Sequence, residues 1–217
     1  MEKAFLFDLN GTMIDDMYFH AKAWQDLLSN ELQANFAWEE IVRNMYGKNN
    51  EVLDRLYGTN HFTPSVVKRL SEEKEKQYQL LYKPLLKPID GLVAFLAWAA
   101  GKNIKLAIGS AAIPANIDFV IDGLGIRHFF QSIVSAADVA LSKPDPATFL
   151  LNAKQLGVAP AACIVFEDAP KGVEAALRAG MQCVVITTMH ERTEFAEFEN
   201  VIAFIEDYVG VELIINN

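Results

Sequence analysis

The chain has 217 residues, 28 acidic against 19 basic side chains and a formal net charge of −9, a length that suits one large domain or one domain carrying a smaller insert. That charge excludes a surface built for nucleic acid or anionic membrane, which needs clustered Lys and Arg, and leaves room for carboxylates that hold a divalent cation. At 52% hydrophobic the sequence is too apolar for disorder, yet no apolar run approaches the roughly 18 residues of a transmembrane helix.

The N-terminus enters a strand directly, without the apolar region of a signal peptide. Ala4-Phe5-Leu6-Phe7 runs to Asp8 with no polar alternation, the pattern of a strand buried on both faces of a parallel sheet. From about Ile89 strands and helices alternate. Leu92, Phe95, Leu96 and Ala99 recur at helical spacing and Gly101 follows as a stop. Lys105 to Ile108 reads as a strand, Pro114 to Asp122 as a helix and Ile133-Val134 as a short strand. Asp145 and Pro146 read as an N-cap and first-turn proline of a helix reaching about Leu156. Ala162 to Phe166 is the next strand; a helix with Val173, Ala176 and Leu177 on its inner stripe follows, closed by Gly180; Gln182 to Thr187 is another strand. Such units predict right-handed crossovers and an α/β, Rossmann-like, doubly wound parallel sheet.

The stretch from Asp16 to Lys83 breaks the rhythm and holds no convincing strand. It reads as helical, with Thr63-Pro64 as a cap and first-turn pair and a charged run from Glu72 to Lys76 read as a solvated helix face, with Lys74 a candidate to reach the ligand cleft. The expected organisation is a core of residues 1–15 and 84–217 with an inserted all-helical cap at 16–83. Hinges are expected near Asp15-Asp16 and Lys83–Pro88, with a ligand cleft that cap movement closes to water.

In an open parallel sheet, ligands collect beyond the carboxyl ends of the strands. Here those ends carry Asp8-Leu9-Asn10-Gly11-Thr12, Gly109-Ser110-Ala111, Ser142-Lys143-Pro144 after a loop, and Glu167-Asp168. A carboxylate, a hydroxyl, a cation and an acidic pair suit phosphoryl transfer, in which a metal and an ammonium neutralise the transferred group. Asp8, Glu167 and Asp168 offer hard oxygen ligands for Mg²⁺. Asp8, alone at the first strand's tip, is the candidate nucleophile. Taken singly each has a blander reading: Asn10-Gly11 is a hairpin-turn signal and Lys143 and Ser110 are ordinary surface residues, but no alternating second strand follows Asn10-Gly11. Their joint order is what carries weight.

These four stretches, with Asp145-Pro146 and Ala169-Pro170-Lys171-Gly172, resemble the four motifs of the haloacid dehalogenase superfamily, within its β-phosphoglucomutase-like branch with a small helical cap. The resemblance implies Asp8 as nucleophile and Mg²⁺ held by Asp8, the backbone carbonyl of Asn10 and Asp168, with Glu167 acting through a water. It implies Ser110 and Lys143 on the phosphoryl group, and Thr12, His20, Gly47, Lys74 and Ala111 among the residues that bind substrate. The implied partner is a small phosphorylated metabolite.

Position 10 departs from that pattern, which has aspartate as the acid/base. A carboxamide exchanges no useful proton near neutral pH, and a positioned acid/base is worth about 10²–10⁴ in rate. Three readings follow: a phosphatase favouring good leaving groups such as acyl phosphates; an enzyme in which His20, Lys74 or Lys76 does the proton work; or a binding protein with little turnover. Gly47-Lys48-Asn49-Asn50 also lacks the arginine expected of a sugar-phosphate mutase, whose bisphosphate suits a bidentate grip. Phosphatase is therefore the preferred expectation and mutase the alternative. Cys163 and Cys183 lie in apolar runs and read as core thiols, which points to the cytoplasm. No interface is evident, so a monomer is the default.

Overall fold

Ala4–Phe7 (β1) is buried at all four positions, as a strand covered on both faces must be. The structure, a computed structural model describing residues 2–215, sets β1 inside a six-stranded sheet. Its other strands are β2 (Lys105–Gly109), β3 (Ser132–Val134), β4 (Cys163–Glu167), β5 (Gln182–Ile186) and β6 (Val201–Ile205). The order is β3-β2-β1-β4-β5-β6 and every pairing is parallel. Phe7 pairs with Ile108 on one side and Phe166 on the other. The strand order reverses across β1 and β4, so their carboxyl ends flank the point where ligands collect in such sheets.

Helices α1 (Met17–Leu32), α2 (Trp38–Asn44), α3 (Asn49–Tyr57) and α4 (Pro64–Tyr82) lie between β1 and β2 in the chain. Later come α5 (Leu92–Gly101), α6 (Pro114–Gly123), α7 (Ala147–Leu156), α8 (Pro170–Arg178) and α9 (Val211–Ile215). Proline opens α4, α6 and α8, where its missing N–H would have no intrahelical partner and its φ is already helical. Among the described residues the chain divides into one unit of residues 2–15 and 87–215 and another of Asp16–Leu86.

In the first unit the two-residue period of the strands decides which face is which. Ala4, Leu6, Ala107, Val165 and Val185 join Phe149 and Ala153 of α7 and Val173 and Ala176 of α8 in one core cluster. Phe5, Phe7 and Phe166 point to the other face, where Phe5 stacks on Phe95 of α5 at 5.7 Å and Phe7 on Phe166 at 4.6 Å. Each such buried ring contributes about 1.5–3 kcal/mol. In the second unit Trp24, Leu27 and Leu28 of α1 pack with Ile41, Val52, Leu53 and Leu70.

The structure corrects the sequence reading in three places. β6 is a sixth strand that the reading omitted, although Val201–Ile205 is an unbroken apolar run. Helix α7 begins at Ala147 rather than Pro146, with Asp145 Oδ1 accepting the Ala147 N–H at 2.9 Å. In α8 the inner stripe takes in Ala175, whereas Leu177 is half-buried.

Candidate functional site

Asp8 follows β1 directly, and its N–H donates to Phe166 O at 3.0 Å, extending the ladder one residue past the strand. The chain then turns: the N–H groups of Thr12 and Met13 both bond to Leu9 O, and Gly11 takes φ +72°. That left-handed backbone favours glycine. So does crowding, since a Cβ on Gly11 would fall 2.1 Å from Asp168 Oδ2. Asn10 sits in this turn, in a bridge with Ile14.

Lys143, from the loop after β3, reaches the same point. Its Nζ donates to Asp8 Oδ1 at 2.6 Å and to Glu167 Oε1 at 2.7 Å, and lies 4.6 Å from the centre of the Phe149 ring. The other oxygen of Glu167 accepts the N–H groups of Asp168 and Ala169 at 2.9 and 3.0 Å. Thr12 Oγ1 donates to Asp168 Oδ1 at 3.1 Å. Thus Asp8, Glu167 and Asp168, all buried, bring carboxylate oxygens within 4.8 Å of one another.

Three carboxylates and one ammonium in a dry place set the electrostatics. Burial pushes the Asp8 carboxyl up; Lys143 opposes this and Glu167 adds to it, leaving Asp8 at about 7. Burial, then the charges of Glu167 and Asp8, raise Asp168 well above the carboxylate range. Burial also works against the Lys143 ammonium, but Asp8 and Glu167 outweigh it and hold the proton more firmly than on an ordinary lysine. Ionised, the three carboxylates exceed what one ammonium offsets, so the cluster suits a hard divalent cation that displaces their protons.

Ser110 is buried at the end of β2, beside β1. Its N–H donates to Val134 O and its hydroxyl accepts the Ala112 N–H at 3.2 Å. Ala111 follows it and is half-buried. Thr12, expected to face substrate, is instead fully buried with its hydroxyl turned to Asp168.

His20 and Lys74, by contrast, belong to the helical unit. Lys74 is not on a solvated face: it is 2% exposed and the adjacent Glu75 6%. Glu72, Glu73 and Lys76 carry the exposed side of that run. Lys74 Nζ meets His20 Nδ1 at 2.7 Å and donates to Glu75 Oε1 at 3.1 Å, which also accepts Asn49 Nδ2 at 2.7 Å. His20 Nε2 lies 3.3 Å from Asp16 Oδ2, to which Tyr78 Oη donates at 2.5 Å. With Lys74 an ammonium, Nδ1 of His20 accepts and Nε2 carries the proton facing Asp16. Burial lowers the Lys74 pKa, with Glu75 and Asp16 opposing. Gly47 takes φ +74° in the turn before α3, two residues ahead of Asn49. Sequence alone gives Asp16, Asn49, Glu75 and Tyr78 no place in a site; the burial of Lys74 and Glu75, amid charged neighbours, has no signal in composition.

A parallel sheet that reverses order beside a tip aspartate, with a lysine and an acidic pair converging on it, defines a phosphoryl-transfer type of α/β enzyme. The haloacid dehalogenase-like hydrolase family model matches residues 2–180, and the chain belongs to that family. It is 31% identical over 190 residues to the fructose-1-phosphate phosphatase YqaB of Escherichia coli, covering 82% of this chain and 93% of that protein. It is 30% identical over 188 residues to the β-phosphoglucomutase of Bacillus subtilis, covering 84% and 82%. The crystal structure of a haloacid dehalogenase family IA hydrolase from Entamoeba histolytica superposes with a TM-score of 0.87 at 26% identity, over 100% of this chain and 98% of that one. No helix among the described residues is long and apolar enough to cross a membrane.

Proposed function

We propose that the protein is a Mg²⁺-dependent phosphatase of small phosphorylated metabolites, working through a covalent phosphate on Asp8. The observation that carries this reading is the convergence of Asp8, Glu167 and Asp168 with Lys143 between two of them. Asp8, Asp168 and the backbone carbonyl of Asn10 would hold the metal, with Glu167 acting through a water. The donor set fits, being all oxygen and short of positive charge. When bound, the metal neutralises charge on the phosphoryl group.

A carboxylate oxygen of Asp8 attacks phosphorus and the bond to the leaving oxygen breaks, giving an acyl phosphate on Asp8. Water then attacks phosphorus, releasing inorganic phosphate and restoring the Asp8 carboxylate. Lys143 stays charged throughout and offsets the added negative charge, while Ser110 binds a phosphoryl oxygen. Asn10 offers no proton to the leaving oxygen, so groups that depart as stable anions are favoured: acyl phosphates ahead of sugar phosphates.

The mutase reading has a specific observation in its support, the His20–Lys74 pair in the helical unit. It is the weaker one because Gly47 to Asn50 contains no arginine and the nearby Arg55 is bonded to the carbonyls of Asn44 and Tyr46.

The test is phosphate release from a panel of acyl phosphates and sugar phosphates, with Mg²⁺ and with EDTA, for the native protein and Asp8→Asn. Release is expected with Mg²⁺ alone, highest on acyl phosphates and lost in Asp8→Asn. No metal-dependent release from any compound would sink the enzyme reading.

A further inference from the structure

The segment that follows β6 has no part in the chemistry described so far. We infer that Tyr208, within it, is a positioning residue for the carboxylate cluster, an inference whose catalytic consequence rests on the phosphatase reading above. Its buried phenol donates to the backbone oxygen of Thr12 at 3.0 Å. Thr12 in turn donates its hydroxyl to Asp168 at 3.1 Å. The preceding carbonyl is held in the same way, with Thr188 Oγ1 donating to Gly11 O at 2.7 Å. Two consecutive carbonyls of the turn that carries Asn10 are therefore fixed by side chains 177 and 196 residues further along the chain.

The Tyr208 ring lies 6.2 Å from Phe7 and 5.9 Å from Phe166, the residues immediately before Asp8 and Glu167. Tyr208 is itself held. Its N–H donates to Asp90 O at 2.8 Å. Gly91, at φ +79°, leaves room where a Cβ would stand 2.7 Å from the carbonyl carbon of Tyr208. Ile89 N–H bonds to Met13 O at 2.9 Å. Tyr208 thus ties together residues 12–13 and 89–91, through which the chain leaves and re-enters this unit. A phenylalanine would fill the aromatic face equally well. What the hydroxyl adds to the ring is its bond to Thr12 and, through Thr12, a hold on Asp168.

Tyr208→Phe keeps the ring and removes that bond. Partners that orient a metal ligand, when lost, weaken metal affinity or activity by 10–100-fold, so the Mg²⁺ dissociation constant, measured by titrating the metal alone, is expected to rise roughly 10-fold. The kcat is expected to fall about as much while KM stays within about twofold, a split that loosened packing alone does not produce. Thr12→Val should weaken Mg²⁺ comparably. The double variant should lose little more than either single one, because both act through Asp168. A folded Tyr208→Phe protein with native Mg²⁺ affinity, or additive losses in the double variant, overturns the inference. If the native protein releases no phosphate from any compound, the phosphatase reading falls and the Mg²⁺ titrations alone decide the role of Tyr208.

Discussion

The Cβ that Gly172 lacks would stand 1.7 Å from Oε1 of Glu167. Gly172 lies in the first turn of α8, where alanine is the better helix former by about 1 kcal/mol. What opposes alanine there is the carboxyl end of the buried Glu167, which must move aside. Swinging away breaks its bonds to Lys143 and to the N–H groups of Asp168 and Ala169. Gly172→Ala is therefore expected to lower stability by about 1–3 kcal/mol, the cost of leaving buried partners unsatisfied, while lowering Mg²⁺-dependent turnover roughly 10–100-fold. Thermal unfolding and phosphate release measured on the same preparation check both halves. Unchanged turnover would show that Glu167 has no part in the site.

The raised carboxyls also set how stability depends on pH. A carboxyl with a folded pKa above its unfolded value holds protons that the unfolded chain has released, so stability falls as pH rises between the two. For Asp8 that window runs from 3.8 to about 7, and Asp168 acts in the same sense. Lys143, shifted upward from 10.5, contributes stability that is constant across this window and lost only at much higher pH. Metal-free protein should therefore lose this cluster's contribution to stability as pH rises across that window. Because the cation binds ionised carboxylates, the rise in melting temperature on adding Mg²⁺ should be larger at pH 8 than at pH 5.5. A shift of equal size at both values would remove the cluster as the metal's site.

In the helical unit, Tyr78 donates to Asp16 at 2.5 Å and its ring stacks on His20 at 3.7 Å. Both partners in that bond are buried. Tyr78→Phe keeps the ring volume and removes a donor from a buried carboxylate, a loss worth about 1–3 kcal/mol. The urea midpoint should fall accordingly with an unchanged slope. A midpoint equal to that of the native protein would mean Asp16 is satisfied without Tyr78.

The parallel sheet was legible because β1 is apolar at every position and β4 at every position before Glu167, and because Pro and Gly mark the helix ends between them. The cluster was legible because each of its members follows a strand or its loop, and chain order alone then brings them to one sheet edge. What escaped was whatever depends on approach between distant segments. Tyr208 looks like any tail tyrosine until it is found against Phe7 and Phe166. Lys74 and Glu75 sit in a run of charges whose sequence does not say that these two turn inward to His20 and Asn49. The resemblance implies a substrate contact for Thr12, and only the folded approach of Asp168 shows where its hydroxyl is directed.

On the phosphatase reading proposed above, Asn10 is the residue on which the level of activity turns. It follows Asp8 by two positions in a turn held by Gly11, Thr188 and Tyr208, so a carboxyl at the same place would inherit a fixed position. Asparagine and aspartate are nearly equal in volume, and the exchange adds no atoms to the turn. It adds a group able to give a proton to a leaving oxygen and take one from water, worth about 10²–10⁴ where well placed. Asn10→Asp is expected to raise Mg²⁺-dependent release from sugar phosphates at least about tenfold. Acyl phosphates, whose leaving groups need no proton, should gain much less. The ratio of the two gains is the decisive readout. Equal gains would point to better metal binding by the new carboxylate, and no gain in a folded protein would mean that residue 10 is not where the proton is missing.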